Sequence, residues 1–288
     1  MQSNNPVFRR SDAFNGASTN AYGNQTYPGN GAAHQSYGQP PTYDQPQYGA
    51  PTTTDGGRMT IDSVVQKTGI ALAVVIVFAT LTWWLIGDIR QGAPDFNENV
   101  GTLYLALMVG SFGAFGLSLV NSFKRVVSPA LVIAFCALEG VALGALSKFF
   151  DAQFGDGIVT QAVIGTFAAF AGTLAAYKFF NIQVGNKFRT FVIAAMFGMV
   201  GLGLLEMVLG AFGSQIGLFG FGGIGLLFAI AGLVLGVFML ILDFDFVEQG
   251  VAAGIEERES WRAAFALTVS LVWIYTNLLR ILAIFSQD

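Results

Sequence analysis

Long apolar stretches dominate the chain from residue 68 onward. Seven mainly apolar runs follow one another, joined by short polar links that often contain Gly, Asn, Asp or Pro. They lie at 68–87, 101–121, 129–150, 158–180, 190–212, 222–246 and 263–285. A bilayer core about 30 Å thick needs about 20 apolar residues per helical span. The pattern therefore predicts an all-α, polytopic membrane protein built as a seven-transmembrane-helix bundle.

The first part of the chain has a different character. Residues 1–58 are rich in Asn, Gln, Gly, Ser, Pro and Tyr, and they repeat Tyr-x-x-Pro at 37–40, 43–46 and 48–51. Such a segment buries too little apolar surface to offset the entropy of ordering it. We therefore predict a disordered cytosolic tail at 1–58 and a seven-span membrane domain at 59–288. The tail is interpreted as a solubilising segment or as a docking arm for a protein partner.

The composition excludes several classes of function. Charged residues make up 11% of the chain and the mean hydropathy is +0.59, whereas a soluble domain has about 25% charged residues. A net charge of −4 without a basic patch argues against nucleic-acid binding. Cys136 is the lone cysteine and His34 the lone histidine. Neither a disulfide framework, nor a zinc site, nor a nucleophile–His–acid set can be assembled, so we expect no enzyme activity and no cofactor.

Lysine and arginine near the span ends predict the orientation. With a cytosolic N-terminus, the inner segments would carry Arg58, Lys67, Lys124, Arg125, Lys178, Lys187, Arg189, Arg258 and Arg262. The outer segments would carry Arg90, Lys148 and Arg280. Because cytosolic loops hold an excess of Lys and Arg, we expect the N-terminus in the cytosol and the C-terminus outside.

Two glutamates lie inside predicted spans. Glu139 is near the middle of the third span, and Glu206 is well inside the fifth. A charged side chain at such a depth costs ~2.5–3.5 kcal/mol on insertion scales, and these residues usually face the bundle interior or a water-filled cavity. A functional role is one interpretation, and a protonated, hydrogen-bonded carboxyl that only packs is the other.

Three more acids follow at the end of the sixth span, in the stretch LGVFMLILDFDFVEQG at 235–250. Gly250 is expected to end this helix, which would place Asp243, Asp245 and Glu248 in its last two turns. The macrodipole disfavours acids there by ~0.3–1 kcal/mol each. Asp243 and Asp245 are about 200° apart around a helix and cannot face one cavity, so we predict that Asp243 points inward. The alternative is that both are hydrated carboxylates at the interface.

The clustered acids predict a site that binds protons and divalent cations. Desolvation and mutual repulsion raise the proton affinity of clustered carboxylates, and carboxylate oxygens are the ligands that Ca²⁺ prefers. Lys124 and Arg125 end the second span on the same predicted face, where they could pair with the acids and close the cytosolic mouth. The candidates for the ion path and for pH sensing are Asp243, Asp245, Glu139 and Glu206.

Four stretches also occur in a characteristic order. They are MTIDSVVQKTGI before the first span, KRVVSPALVIAFCALEGVALGALS around the third, LDFDFVEQGVAAGIEERESWRAAFAL across the last link, and LVWIYTNLLRIL in the last span. Over residues 59–286 the chain resembles the Bax inhibitor 1 family, also called transmembrane Bax inhibitor motif or YccA-like, and its actinobacterial branch most of all. The resemblance implies a seven-helix bundle in a bacterial plasma membrane that leaks calcium in a pH-sensitive way.

The resemblance also implies roles for individual residues. In the family, two aspartates on the last two spans share a proton and gate the pore, and a basic residue on the second span latches the cytosolic side. Asp243 matches the sixth-span aspartate, and Glu139 matches a glutamate that precedes a glycine in the third span. Lys124 or Arg125 would serve as the latch. Asp243 and Glu139 are therefore the expected transient contacts for Ca²⁺, as a permeating ion and not a cofactor.

One part of the family pattern is missing. Aligning the last span on LLRIL puts Ser270 where the family carries its second aspartate, and Asn277 is the other strongly polar candidate nearby, apart from Thr268 and Thr276. Two interpretations stay open. In the first, one of the other acids replaces the missing partner: Asp245, Glu139 or Glu206. In the second, pH sensitivity is altered or lost.

The leading hypothesis is thus a pH-sensitive leak channel for calcium or other cations. The alternative is a non-conducting membrane protein that modulates a membrane protease or a stress response, with the tail as its docking arm. A proton-coupled transporter is a further option. An intramembrane protease is disfavoured, because its chemistry needs two facing aspartates and no second span offers one.

Overall fold

The computed structural model describes residues 57–155 and 157–287. Its long helices are α1 (Ile61–Leu85), α2 (Phe96–Phe123), α3 (Pro129–Phe154), α4 (Ile158–Phe179), α5 (Asn186–Ala211), α6 (Gly223–Ala253) and α7 (Ser260–Phe285). All seven are long and apolar enough to cross a membrane, which confirms the predicted all-α, multi-pass fold. The predicted disordered tail lies outside the described residues, apart from its last two positions.

Local sequence signals explain where several helices begin and end. Thr60 and Ser63 form a reciprocal capping box at the start of α1. Pro129 occupies the first turn of α3, where its missing N–H costs nothing. Gly254 ends α6 in the left-handed conformation, with φ +61°, which suits a residue without a Cβ.

The predicted end of the sixth span at Gly250 is wrong. Gly250 lies inside α6 and is buried, and the helix continues to the left-handed cap at Gly254. Asp243 therefore lies nearly three turns before the helix end, at about 3.6 residues per turn. Since the macrodipole acts mainly within the last turn, the predicted dipole penalty does not apply to Asp243 or Asp245.

Helices α3 and α7 form the centre of the bundle. Half of the apolar window of each is buried inside the protein, compared with 11% for α5. α3 approaches α1 closely, because a Cβ at Gly144 would lie within contact range of the Ala79 carbonyl oxygen, and a Cβ at Gly140 would meet the Val75 carbonyl oxygen. Small residues allow this approach between helices in lipid. The close contact holds α3 firmly against α1.

The segment before α1 is tied to the link between α6 and α7. Arg58 forms an isolated antiparallel bridge with Glu256, and the Met59 N–H donates to the Ile255 carbonyl at 2.8 Å. Lys67 adds an ion pair with Glu257 at 2.9 Å. These bonds hold the turn from which α7 starts, so they help to set the position of α7 against α6.

Candidate functional site

Asp243 on α6 meets Ser270 on α7. The Ser270 hydroxyl donates to Asp243 Oδ2 at 2.6 Å, and Ser270 is only 1% exposed. The partner of Asp243 is thus the very residue that stands where the family resemblance places a second aspartate. In this chain the contact between the last two helices joins one carboxyl and one hydroxyl.

This bond belongs to a close antiparallel seam between α6 and α7. A Cβ at Gly236 would lie 2.6 Å from Ile274 Cγ1. Near the other end, the Trp273 indole N–H donates to the Gly232 carbonyl at 2.8 Å, and Asn277 packs against Gly232. The two glycines let α7 lie directly on α6. Among the polar contacts named in this seam, the bond between Asp243 and Ser270 involves an acid.

Asn277 lies in the same seam but not beside Asp243. Its amide donates to the Trp273 carbonyl within α7 at 2.7 Å. Seven residues separate it from Ser270, which is about 10 Å along a helix. Of the two polar candidates on the last span, Ser270 is therefore the one that contacts the sixth-span aspartate.

Asp245 faces a different helix. Its Oδ2 accepts from the Arg189 guanidinium of α5 at 2.9 Å and from the Gln249 amide at 2.7 Å. Asp245 is buried, whereas the Arg189 side chain is 46% exposed. The two aspartates of the DFD stretch thus turn to opposite neighbours, as their angular separation predicts. Asp245 does not replace the missing partner of Asp243.

The basic residue that pairs with Asp245 is Arg189 of α5. Within the described ranges, no ion pair joins Lys124 or Arg125 to an acid of α6. Arg125 instead contributes its carbonyl oxygen, which accepts from the Arg262 guanidinium at 2.9 Å. Sequence reasoning placed Arg189 on the predicted cytosolic side but gave it no partner. The latch role of Lys124 or Arg125 stays a prediction.

Glu139 lines a cavity of about 330 Å³ between α2, α3 and α7, which is open to the protein surface at the exposed residues Ser111 and Phe115. Ser111 and Ser118 of α2 line it, together with Thr276 and Trp273 of α7. In the part of the chain that the structure describes, no hydrogen bond reaches the Glu139 carboxyl. Its oxygen atoms are therefore left to water, a proton or a cation. Asp243 does not line this cavity, so the two acids approach α7 from different sides.

Glu206 has a local structural role. It is 6% exposed and accepts backbone N–H groups of the link between α5 and α6: Ile216 at 3.0 Å, Gly217 at 2.8 Å and Leu218 at 3.2 Å. It lies 17 residues beyond Arg189, which is about 25 Å along α5. These bonds support the packing interpretation of Glu206, and the structure does not bring it to Asp243.

The acids do not form a preformed metal cage. Among the residues that the structure describes, no three His, Cys, Asp or Glu side chains lie close enough to hold a metal ion. A Ca²⁺ ion at Asp243 or Glu139 would complete its shell of six to eight oxygens with water and backbone carbonyls. A site with so few carboxylate ligands would hold a permeating ion only briefly.

Comparison with known proteins gives one result. A family model described as "Bax inhibitor 1 like" matches residues 5–287. No curated protein sequence matches the chain. The match covers the whole membrane domain and also most of the N-terminal segment, which lies beyond the range of the predicted resemblance.

The structural role of Glu206 is testable by Glu206→Gln. The new amide keeps one acceptor oxygen and turns its N–H groups toward at least one of the backbone N–H donors, such as Ile216, so we expect a loss of about 1–3 kcal/mol in the free energy of unfolding, measured by denaturant unfolding in detergent micelles. Glu248→Gln is the control, because Glu248 is an exposed acceptor from Tyr177. Equal losses in the two variants would contradict the assignment.

Proposed function

Because the chain belongs to the Bax inhibitor 1 like family, we propose that it is a pH-sensitive leak channel for calcium and related cations. We place it in a bacterial plasma membrane, with a cytosolic N-terminus and an outer C-terminus. The single observation that supports this proposal most is the contact between Asp243 and Ser270. It puts a carboxyl between two membrane-spanning helices, at a place where such a group is expensive to keep.

The Asp243 carboxylate keeps free acceptor capacity in this contact. A carboxylate offers about four lone-pair sites, and the Ser270 hydroxyl fills one of them. The remaining sites can take a proton, a water molecule or a calcium ion. In our proposal, the Ser270 bond holds α7 against α6 in a closed state, and hydration of the ionised Asp243 carboxylate weakens that hold.

The cavity at Glu139 supports a path for ions. It is lined by the second half of α2 and the first half of α3. With the N-terminus in the cytosol, both half-helices lie toward the cytosolic side. Serine and threonine hydroxyls share the cavity with the carboxyl, and such groups can replace part of the hydration shell of a cation. Glu139 would then be the inner acid of the path.

The pH sensitivity of this chain would differ from that of a two-aspartate pair. Asp243 contacts a hydroxyl, Asp245 pairs with Arg189, and Glu206 is bonded to backbone N–H groups. None of these acids stands beside a second carboxyl in the described contacts. We propose that Asp243 and Glu139 titrate as separate groups, so that the flux changes gradually with pH.

A second candidate function is favoured by the junction of tail and bundle. Residues 1–56 continue directly into the segment whose Arg58 bridges to Glu256 before α7. A partner bound to the tail would act on the bundle through this segment, which is bonded to the link before α7. In this alternative the protein modulates a membrane protease or a stress response and does not conduct ions.

Substitutions of Asp243 separate the two candidates. Asp243→Asn can still hydrogen-bond Ser270 but cannot ionise, so we expect calcium flux to fall several-fold. Asp243→Ala also releases α7, so its flux should exceed that of Asp243→Asn. The measurement is calcium entry into proteoliposomes that hold a calcium indicator.

Glu98→Gln is the control for this experiment, because Glu98 is an exposed acid in the first turn of α2. Its flux should equal that of the wild type. Unchanged flux in both Asp243 variants would remove Asp243 from the path, and a silent wild type would favour the partner-binding candidate.

Ser270→Asp tests the origin of pH sensitivity. It would place a second carboxyl beside Asp243, and two carboxyls at hydrogen-bond distance titrate as a coupled pair. We expect the flux of the variant to change with pH in two separate steps over a wider pH range than in the wild type, because the first carboxyl to ionise opposes the ionisation of the second. Ser270→Ala, which removes the hydroxyl without adding an acid, should not gain the second step. Identical pH profiles for wild type and Ser270→Asp would refute the account.

A further inference from the structure

A second cavity lies between α1, α3, α4 and α7. Its volume is about 490 Å³, and its walls are mainly apolar. It extends along the second half of α3 to Asp151, whereas the Glu139 cavity lies along the first half. The two cavities therefore occupy opposite halves of the membrane on the same central helix.

One stripe of α3 runs through both cavities. Phe135 and Glu139 line the first cavity, and Leu143, Ser147 and Asp151 line the second. These five residues are spaced four apart, so the stripe winds about 160° around the helix between Phe135 and Asp151. The two cavities therefore follow one another along α3 but lie on different sides of it, with an acid in each.

Val272 of α7 lines both cavities, which makes it part of the wall that they share. On α3, Leu143 stands between Glu139 and Ser147 in the stripe. Beyond it, Ser147 is hydrogen-bonded to the Tyr275 hydroxyl at 2.6 Å. The boundary between the two cavities therefore has apolar side chains on both helices.

We infer that Val272, which lies at about the level of Leu143 in the bundle, is the constriction of an ion route that runs along α3 from Glu139 to Asp151. This inference rests on the proposed leak function and names the residues that limit it. Narrow apolar constrictions exclude water and so block ions until they widen. Asp151, which lies 3.7 Å from Arg90, would be the outer acid of the route.

The constriction is linked to the Asp243 contact through α7. Val272 is two residues from Ser270, and the two side chains point to different sides of the helix. While Ser270 is bonded to Asp243, α7 is held on α6 and Val272 stays in the wall between the cavities. Once α7 parts from α6 it can also turn about its axis, and such a turn would rotate Val272 out of the shared wall, so one helix would couple the acid to the constriction.

The inference is tested by changing the size and polarity of Val272 in the full-length protein. We expect Val272→Ser to raise calcium and potassium flux into proteoliposomes several-fold, and Val272→Phe to lower it below the wild type. Ile281→Ser is the control, because Ile281 is a partly buried apolar residue on the same helix that lines neither cavity. It should change flux less than twofold.

The outcomes separate this inference from the proposed function. If the wild type conducts calcium and both Val272 variants match it, the route is wrong while the leak function stands. If the wild type is silent but Val272→Ser conducts, the route is supported and the leak function fails. Equal increases in Val272→Ser and Ile281→Ser would indicate general loosening and overturn the inference. Val272→Ala should also raise flux. Its elution volume in size-exclusion chromatography should equal that of the wild type, which would show that the effect does not come from misfolding.

Discussion

A carboxyl at membrane depth must find its hydrogen bonds inside the protein, because lipid offers none. In this bundle the constraint is met at Asp243 by the Ser270 hydroxyl. The same bond ties the last two helices together along a seam where Gly232 and Gly236 allow close contact. The packing of α7 on α6 and the bond of Asp243 therefore depend on each other, and a change in the charge of Asp243 would affect the position of α7.

The bundle combines rigid and loosely held parts. α3 is pressed against α1 through Gly140 and Gly144, and it carries the stripe that both cavities follow. α5, by contrast, is the least buried span and is joined to the rest by two polar contacts, Arg189 with Asp245 and Glu206 with the next link. In the proposed leak, α3 keeps its place against α1, and α7, although it lies in the centre of the bundle, moves once its bond to α6 is released.

The sequence predicted the fold well because each span is a long apolar run that needs no tertiary information. It also predicted that Asp243 and Asp245 face apart, since that follows from helical periodicity alone. The end of α6 was misplaced because two glycines were available, and only Gly254 adopts the left-handed conformation. Periodicity could not show that Arg189 pairs with Asp245, or that Glu206 binds backbone N–H groups, because both contacts depend on how distant segments pack. The partner of Asp243 was found only through the family resemblance, which pointed to Ser270.

The central claim is that α7 must move away from α6 for ions to pass. It is tested most directly by a reversible cross-link between Gly236→Cys and Ile274→Cys, introduced together in a Cys136→Ala background. A side chain at Gly236 would lie 2.6 Å from Cγ1 of Ile274, so a disulfide would lock the seam. The account predicts that oxidation abolishes calcium flux and that reduction restores it, while the single Ile274→Cys variant is insensitive. Equal flux in the oxidised and reduced double variant would contradict it.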